Sequence, residues 1–120
     1  MARDAPVIEA YGGGGFRLSG AARHEGSLLI VGDEPRPWGV TAMSELTLAD
    51  FQPVLAAGAA EAEFVLLGTG ARNALPSREV RDGLRAAGLG LEFMDTPAAA
   101  RLYNLLTSEG RRLAAALIAI

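Results

Sequence analysis

Apolar and polar positions follow two patterns along this chain: short extended alternations in the first half, and apolar runs separated by amphipathic stretches in the second. Phe64-Val65-Leu66-Leu67 is unbroken, with acids before it and Gly68-Thr69-Gly70 after it. Such a run suits a strand buried on both faces, as in sheets covered by helices. From Pro76 to Ala87 the period changes to that of a helix. Val80, Leu84 and Ala87 form a narrow apolar stripe, opposite the solvated Arg78, Glu79, Arg81, Asp82 and Arg85, and Gly88 stops it. Leu89 to Met94 alternates as a strand. Asp95-Thr96-Pro97 then opens a last helix, with Thr96 expected as its cap and Pro97 in the first helical position. Its expected core stripe is Ala99, Leu102, Tyr103 and Leu106, with Arg101, Asn104 and Ser108 on another face. Leu113 to Ile120 reads as a central strand, although its alanines also suit a helix.

In the first half, Val7 to Tyr11 and Phe16 to Leu18 are extended segments joined by Gly12-Gly13-Gly14-Gly15. Phosphate-cradling glycine loops lead into a helix, and Phe16-Arg17-Leu18 is no helix start, so a hairpin turn is expected here. Ala22 to Gly26 reads as a polar connection holding an exposed His24, and Ser27 to Val31 as a second buried strand. Pro35 and Pro37 force extended backbone up to Trp38. Trp38 reads as a cap on the core edge, with a ligand or partner anchor as the alternative. Thr47 fits the cap of a helix running through Leu48, Phe51 and Leu55 to Gly58, with Asp50 reaching back to it. Together these elements predict one compact α/β domain over residues 1–120, with a disordered tail over 1–5. Its C-terminal half is β-α-β-α-β in a mixed central sheet, and its N-terminal half adds an antiparallel hairpin layer. The strands at Phe64 and Leu91 are expected to be parallel neighbours.

Composition narrows the function classes. A net charge of -3 argues against a nucleic-acid partner. All 11 basic residues are arginine, for which codon bias is the economical reading. Cysteine is absent, which excludes disulfides, thiolate metal sites and a thiol nucleophile. His24 is the only histidine and has no co-ligands at metal-binding spacing. No transmembrane segment or signal peptide is expected, and the expected location is cytoplasmic.

Ligands of open α/β sheets collect beyond the carboxyl ends of the parallel strands. Two loops qualify: Gly68 to Asn73, and Asp95-Thr96. Gly68 and Gly70 permit close approach, Thr69 offers a hydroxyl, Arg72 a bidentate cation, and Asp95 a carboxylate beside the cap Thr96. Each also has a structural explanation as a turn, a cap or a surface charge. No nucleophile with a matched base accompanies them, so no catalytic, cofactor or metal residue is assigned.

Several segments in order resemble a known family. They are Tyr11 with its glycines and Phe16-Arg17, Gly26-Ser27-Leu28-Leu29, Trp38, Leu46-Thr47 with Asp50-Phe51, Leu66-Leu67-Gly68-Thr69-Gly70, Met94-Asp95-Thr96, and Tyr103-Asn104-Leu105-Leu106 with Glu109-Gly110-Arg111-Arg112. From about Pro6 to Ile118 the chain resembles the Mth-type domain family, named for an archaeal member. That family includes bacterial proteins of unknown function, an adipogenesis-associated animal protein and a mitochondrial complex I assembly factor. The resemblance implies a mixed central sheet, no transferable reaction, and a role in protein assembly. The expectation is therefore a non-enzymatic interaction module with a protein partner, assisting assembly of a respiratory or other multi-subunit complex and showing an apolar surface patch of residues such as Trp38 or Phe16. The alternative is an anionic small-molecule binder or enzyme using Gly68–Asn73 and Asp95–Thr96.

Overall fold

The computed structural model describes residues 5–20 and 22–120. Apart from Ala5, the tail expected over 1–5 lies outside the described residues. The first three strands, β1 (Ile8–Gly12), β2 (Gly15–Leu18) and β3 (Ala22–Glu25), form an antiparallel sheet in that order. Five more strands form a mixed sheet: β4 (Ser27–Val31), β5 (Glu34–Trp38), β6 (Phe64–Gly68), β7 (Gly90–Met94) and β8 (Leu113–Leu117). Their order is β5-β4-β8-β6-β7. Helix α1 (Gln52–Ala57) follows a 3-10 turn over Leu48–Phe51, α2 (Arg78–Ala86) joins β6 to β7, and α3 (Thr96–Ser108) joins β7 to β8.

The apolar run at Phe64 forms β6 and lies between β8 and β7, parallel to both. Val65 faces Leu91 across the β6–β7 pair, as the alternation of strand and helix predicts. Side chains along the central strands then divide by parity between two cores. Leu29, Val31, Val65, Leu67, Ala114 and Ala116 meet Val54, Val80 and Leu84 on one face. Leu28, Ile30, Leu66, Ala115 and Leu117 meet Ala99 and Tyr103 of α3, with Ile8, Phe16 and Leu18 of the hairpin, on the other. This placement settles the Leu113 segment: all five residues of β8 are buried between two strands and two layers. Burial on both faces outweighs the helix propensity of its alanines.

The glycine run is a hairpin turn. Tyr11 pairs with Phe16 and Gly12 with Gly15, leaving Gly13 and Gly14 at the tip with φ of 61° and 81°. Positive φ at both central residues suits the twist of a two-residue hairpin and favours glycine.

Four local expectations need correction. The helix at Thr47 starts as a 3-10 turn, and α1 begins only at Gln52. An α-helix beginning at Leu48 would need Pro53 to donate to the Ala49 carbonyl, which proline cannot do; Gln52 N–H takes that carbonyl instead. Asp50 does reach back, accepting from Thr47 N–H at 2.8 Å. The next helix starts at Arg78, two residues beyond Pro76, because Ser77 takes the cap position and its hydroxyl accepts from Val80 N–H. The Ala22 segment is edge strand β3, so His24 is half-buried opposite Phe16 rather than in a turn. Finally, Asp95 and not Thr96 caps α3: the Asp95 carboxylate accepts from Ala98 N–H at 2.9 Å. Thr96 and Pro97 occupy the first helical turn.

Candidate functional site

The parallel register brings the loops after β6 and β7 to the same end of the sheet, and β8 ends beside them. Thr69 N–H continues the ladder by donating to the Met94 carbonyl at 2.8 Å. Thr69 Oγ1 has one proton and two acceptors in range, the Arg72 carbonyl at 2.7 Å and the Met94 carbonyl at 3.1 Å. It therefore closes its own loop instead of pointing into solvent. Gly70 and Thr96 exchange two bonds: Thr96 N–H donates to the Gly70 carbonyl at 2.8 Å, and Gly70 N–H to Thr96 Oγ1 at 3.0 Å. The Thr96 hydroxyl in turn donates to the Ile118 carbonyl at 2.7 Å, and Ile118 N–H donates to the Gly68 carbonyl at 3.0 Å.

One fully buried threonine thus ties together the ends of β6, β7 and β8. Burial makes these bonds necessary, because an orphaned donor or acceptor there carries its full desolvation penalty. Gly68 allows the close approach: a Cβ there would lie 2.9 Å from both Leu117 Cδ2 and Thr96 Oγ1. Gly70 sits at φ 106°, a conformation that favours glycine. Arg72 is exposed, so its side chain is the outward-facing cation of this loop.

Trp38 does not join the group. It ends β5, from which β4 and β8 separate β6, roughly 14 Å at ordinary strand spacing. It is 7% exposed, its indole N–H donates to the Asp50 carbonyl at 2.8 Å, and its ring lies 5.6 Å from that of Phe51. Phe16 is fully buried. The expected apolar surface patch at Trp38 or Phe16 is therefore absent, since both side chains belong to the cores. The exposed large apolar residues among those described are Val7, Tyr11, Leu75 and Leu105.

Two features escaped the sequence reading. Asn104, expected on a face apart from the core stripe of its helix, bonds both backbone groups of Ile8: its Oδ1 accepts from Ile8 N–H and its Nδ2 donates to the Ile8 carbonyl, each at 2.9 Å. Only an amide carries donor and acceptor side by side in this way, but the partner lies 96 residues away, so no local signal shows it. The other feature is a surface pocket of about 200 Å³ lined by Arg81, Arg85, Leu89, Gly90 and Leu91. Arg81 and Arg85 are four apart on α2, a visible spacing whose significance depends on which strand lies below.

With this architecture in place, comparison with known proteins is specific. A family described as "Protein of unknown function (DUF498/DUF598)" matches residues 8–118. The chain belongs to this DUF498/DUF598 family. An uncharacterised protein of Rhodobacter capsulatus is 40% identical over 111 residues, 92% of this chain and 82% of its own length. NADH dehydrogenase [ubiquinone] 1 alpha subcomplex assembly factor 3 of Danio rerio is 32% identical over 93% of this chain. The chain spans 63% of that assembly factor's length. Among solved structures, one described as an outer membrane protein from Bartonella henselae superposes with a TM-score of 0.87 at 34% identity, covering 96% of this chain and 95% of that one. A Bordetella pertussis protein described as a Mth938-like domain gives 0.81 at 30% identity, covering 99% and 89%. The DUF498/DUF598 fold is thus the Mth938-like fold that the sequence resembles. Among the described residues no helix is long and apolar enough to cross a membrane, and no group of three or more acidic, histidine or cysteine side chains is placed to hold a metal ion.

Proposed function

We propose that this chain is a protein-interaction module assisting the assembly of a multi-subunit complex, in a cytoplasmic setting. The observation that carries the reading is the closed loop pair. Its two hydroxyls and the Gly70 N–H, the groups best suited to hold a small ligand, are bonded to the protein itself. A relative named as a complex assembly factor aligns with 93% of the chain, which supports assembly over metabolite binding. The rival reading places an anionic metabolite at Gly68, Thr69, Gly70 and Arg72, beside Asp95 and Thr96; what favours it is the meeting of both loops at one sheet end. Affinity purification of the native protein, with mass spectrometry of co-purifying proteins and small molecules, separates the two. The expected result is a stoichiometric protein partner in the soluble fraction. A co-purifying anion without a protein partner would replace this reading with its rival.

A further inference from the structure

We propose that the outer edge of β7 binds an extended, acidic protein segment as an added strand, with Arg81 and Arg85 holding its carboxylates. The proposal rests on the interaction-module reading and gives it a location. Gly90 N–H donates to the Glu63 carbonyl, and the Met94 carbonyl accepts from Thr69 N–H, so Gly90, Glu92 and Met94 turn their backbone groups toward β6. By the alternation of a parallel ladder, Leu91 and Phe93 turn theirs outward. Among the described residues no hydrogen bond covers those groups.

The other strand edges are protected differently. Pro35 and Pro37 remove two donors from β5. Asn104 occupies both backbone groups of Ile8 on β1. β3 carries Arg23 and Glu25 as an ion pair. An uncovered edge is a template for another strand, and proteins ordinarily blunt it. β7 keeps its edge and has a pocket beside it.

That pocket sets the chemistry of the occupant. On one flank of α2, Gly83 packs so tightly on Leu48 that a Cβ would approach its Cδ2 to 2.3 Å. The other flank presents Arg81 and Arg85 above Leu89, Gly90 and Leu91. Arg81 is held by its Nε–H bond to the Pro76 carbonyl at 3.1 Å. No carboxylate lies within ion-pair distance of either guanidinium among the described residues. Leu91 and Phe93 pack toward α2, whereas Met94 packs on the opposite core, so Glu92 shares the α3 side and leaves the arginine flank positive. An added strand bearing acidic residues on that face would place them against two arginines while its backbone pairs with Leu91 and Phe93. A second copy fits poorly. Antiparallel pairing of two β7 edges about a twofold axis brings both α2 flanks together, four guanidiniums facing one another.

The test uses the full chain and a synthetic, end-capped octapeptide alternating valine and glutamate, with valine–lysine and valine–serine peptides as controls. Titration followed by backbone amide NMR should move Leu91, Phe93 and Arg85 with the glutamate peptide and slow hydrogen exchange at Leu91 and Phe93. Arg85→Glu, an exposed substitution, should weaken binding about tenfold, through loss of a charge-assisted contact and gain of a repulsive one. Leu91→Pro should abolish binding by removing an outward N–H; where that variant fails to fold, Arg81→Glu replaces it. Equal binding of the lysine peptide, or shifts confined to another face, would overturn the proposal. Concentration-dependent dimerisation of the free protein that Leu91→Pro abolishes and Arg85→Ala strengthens would overturn it in favour of a second copy. If the native partner remains bound to Arg85→Glu, the interaction reading survives and the β7 site does not; glutamate-peptide binding at β7 without any native protein partner would give the reverse outcome.

Discussion

Two regions of this domain hold the same kinds of polar group in opposite states. At the carboxyl ends of β6 and β7, the hydroxyls of Thr69 and Thr96 and the Gly70 N–H are bonded inside the protein. Along the outer side of β7, the backbone groups of Leu91 and Phe93 and the Arg85 guanidinium have no such partner among the described residues. The difference follows from burial. Thr96 is fully buried, and its environment had to supply partners; Arg85 is exposed, and water satisfies it until something better arrives. Residue type therefore indicates chemistry that is available in principle, and burial decides whether the fold has already used it.

The comparison is most severely tested at Thr96. Replacing it by valine keeps the shape but leaves the Gly70 N–H and the Ile118 carbonyl without their buried partner. The expected loss is about 3 kcal/mol, from two groups that each carry a desolvation penalty. Thr96→Ser keeps the hydroxyl and should lose much less. Urea melts of both variants measure this, and a Thr96→Val midpoint equal to that of Thr96→Ser would show that the junction does not depend on the hydroxyl.

A smaller effect is expected at Asn104, the residue that covers the β1 edge. Asn104→Ala should cost about 1–2 kcal/mol, because the Ile8 groups are only partly shielded and water can replace the amide. Native-state hydrogen exchange should accelerate more at Ile8, which loses its partner directly, than at Leu66 in the sheet centre, which follows only the global loss. Such a variant has a second open edge, which sharpens the contrast with β7. Next in size is Asp95→Ala, expected to cost about 1 kcal/mol through loss of the α3 cap. A neutral result in a thermal melt would remove the cap assignment.

Most of the topology was legible in the sequence because both period and length were unambiguous. Phe64 to Leu67 is too short for a helix and too apolar for a surface strand, and Val80 and Leu84 fix the buried face of α2. The roles at Asp95 and Thr96 were exchanged because either side chain can cap a helix, and the choice depends on Ile118, which lies 22 residues from Thr96. The Leu113 segment could be resolved only by its neighbours, since alanine itself favours a helix. The loop pair was located correctly in space, but its internal bonding came from contacts between three strand ends. Trp38 read as a cap on the core edge, with an anchor as the alternative because aromatic rings are common at interfaces; a carbonyl 12 residues away satisfies its N–H inside the core.

The smallest expected effect is at Arg72, and it bears most directly on the rival reading. As an exposed side chain, it should change stability by less than about 0.5 kcal/mol when replaced by alanine. A functional anion site would behave differently: phosphate bound only to the folded state would raise the melting temperature by mass action, and Arg72→Ala would remove that rise. The geometry argues against such a rise. An anion above Gly68-Thr69-Gly70 would naturally take the Gly70 N–H, which already donates to Thr96 Oγ1 at 3.0 Å. Breaking that bond would cost stability at the junction of three strands, leaving one solvent-screened arginine as compensation. Thermal melts with and without phosphate at fixed ionic strength should therefore coincide for the wild type and for Arg72→Ala. A phosphate-dependent rise present in the first and absent in the second would reopen the loop pair as a ligand site and reverse the contrast with β7.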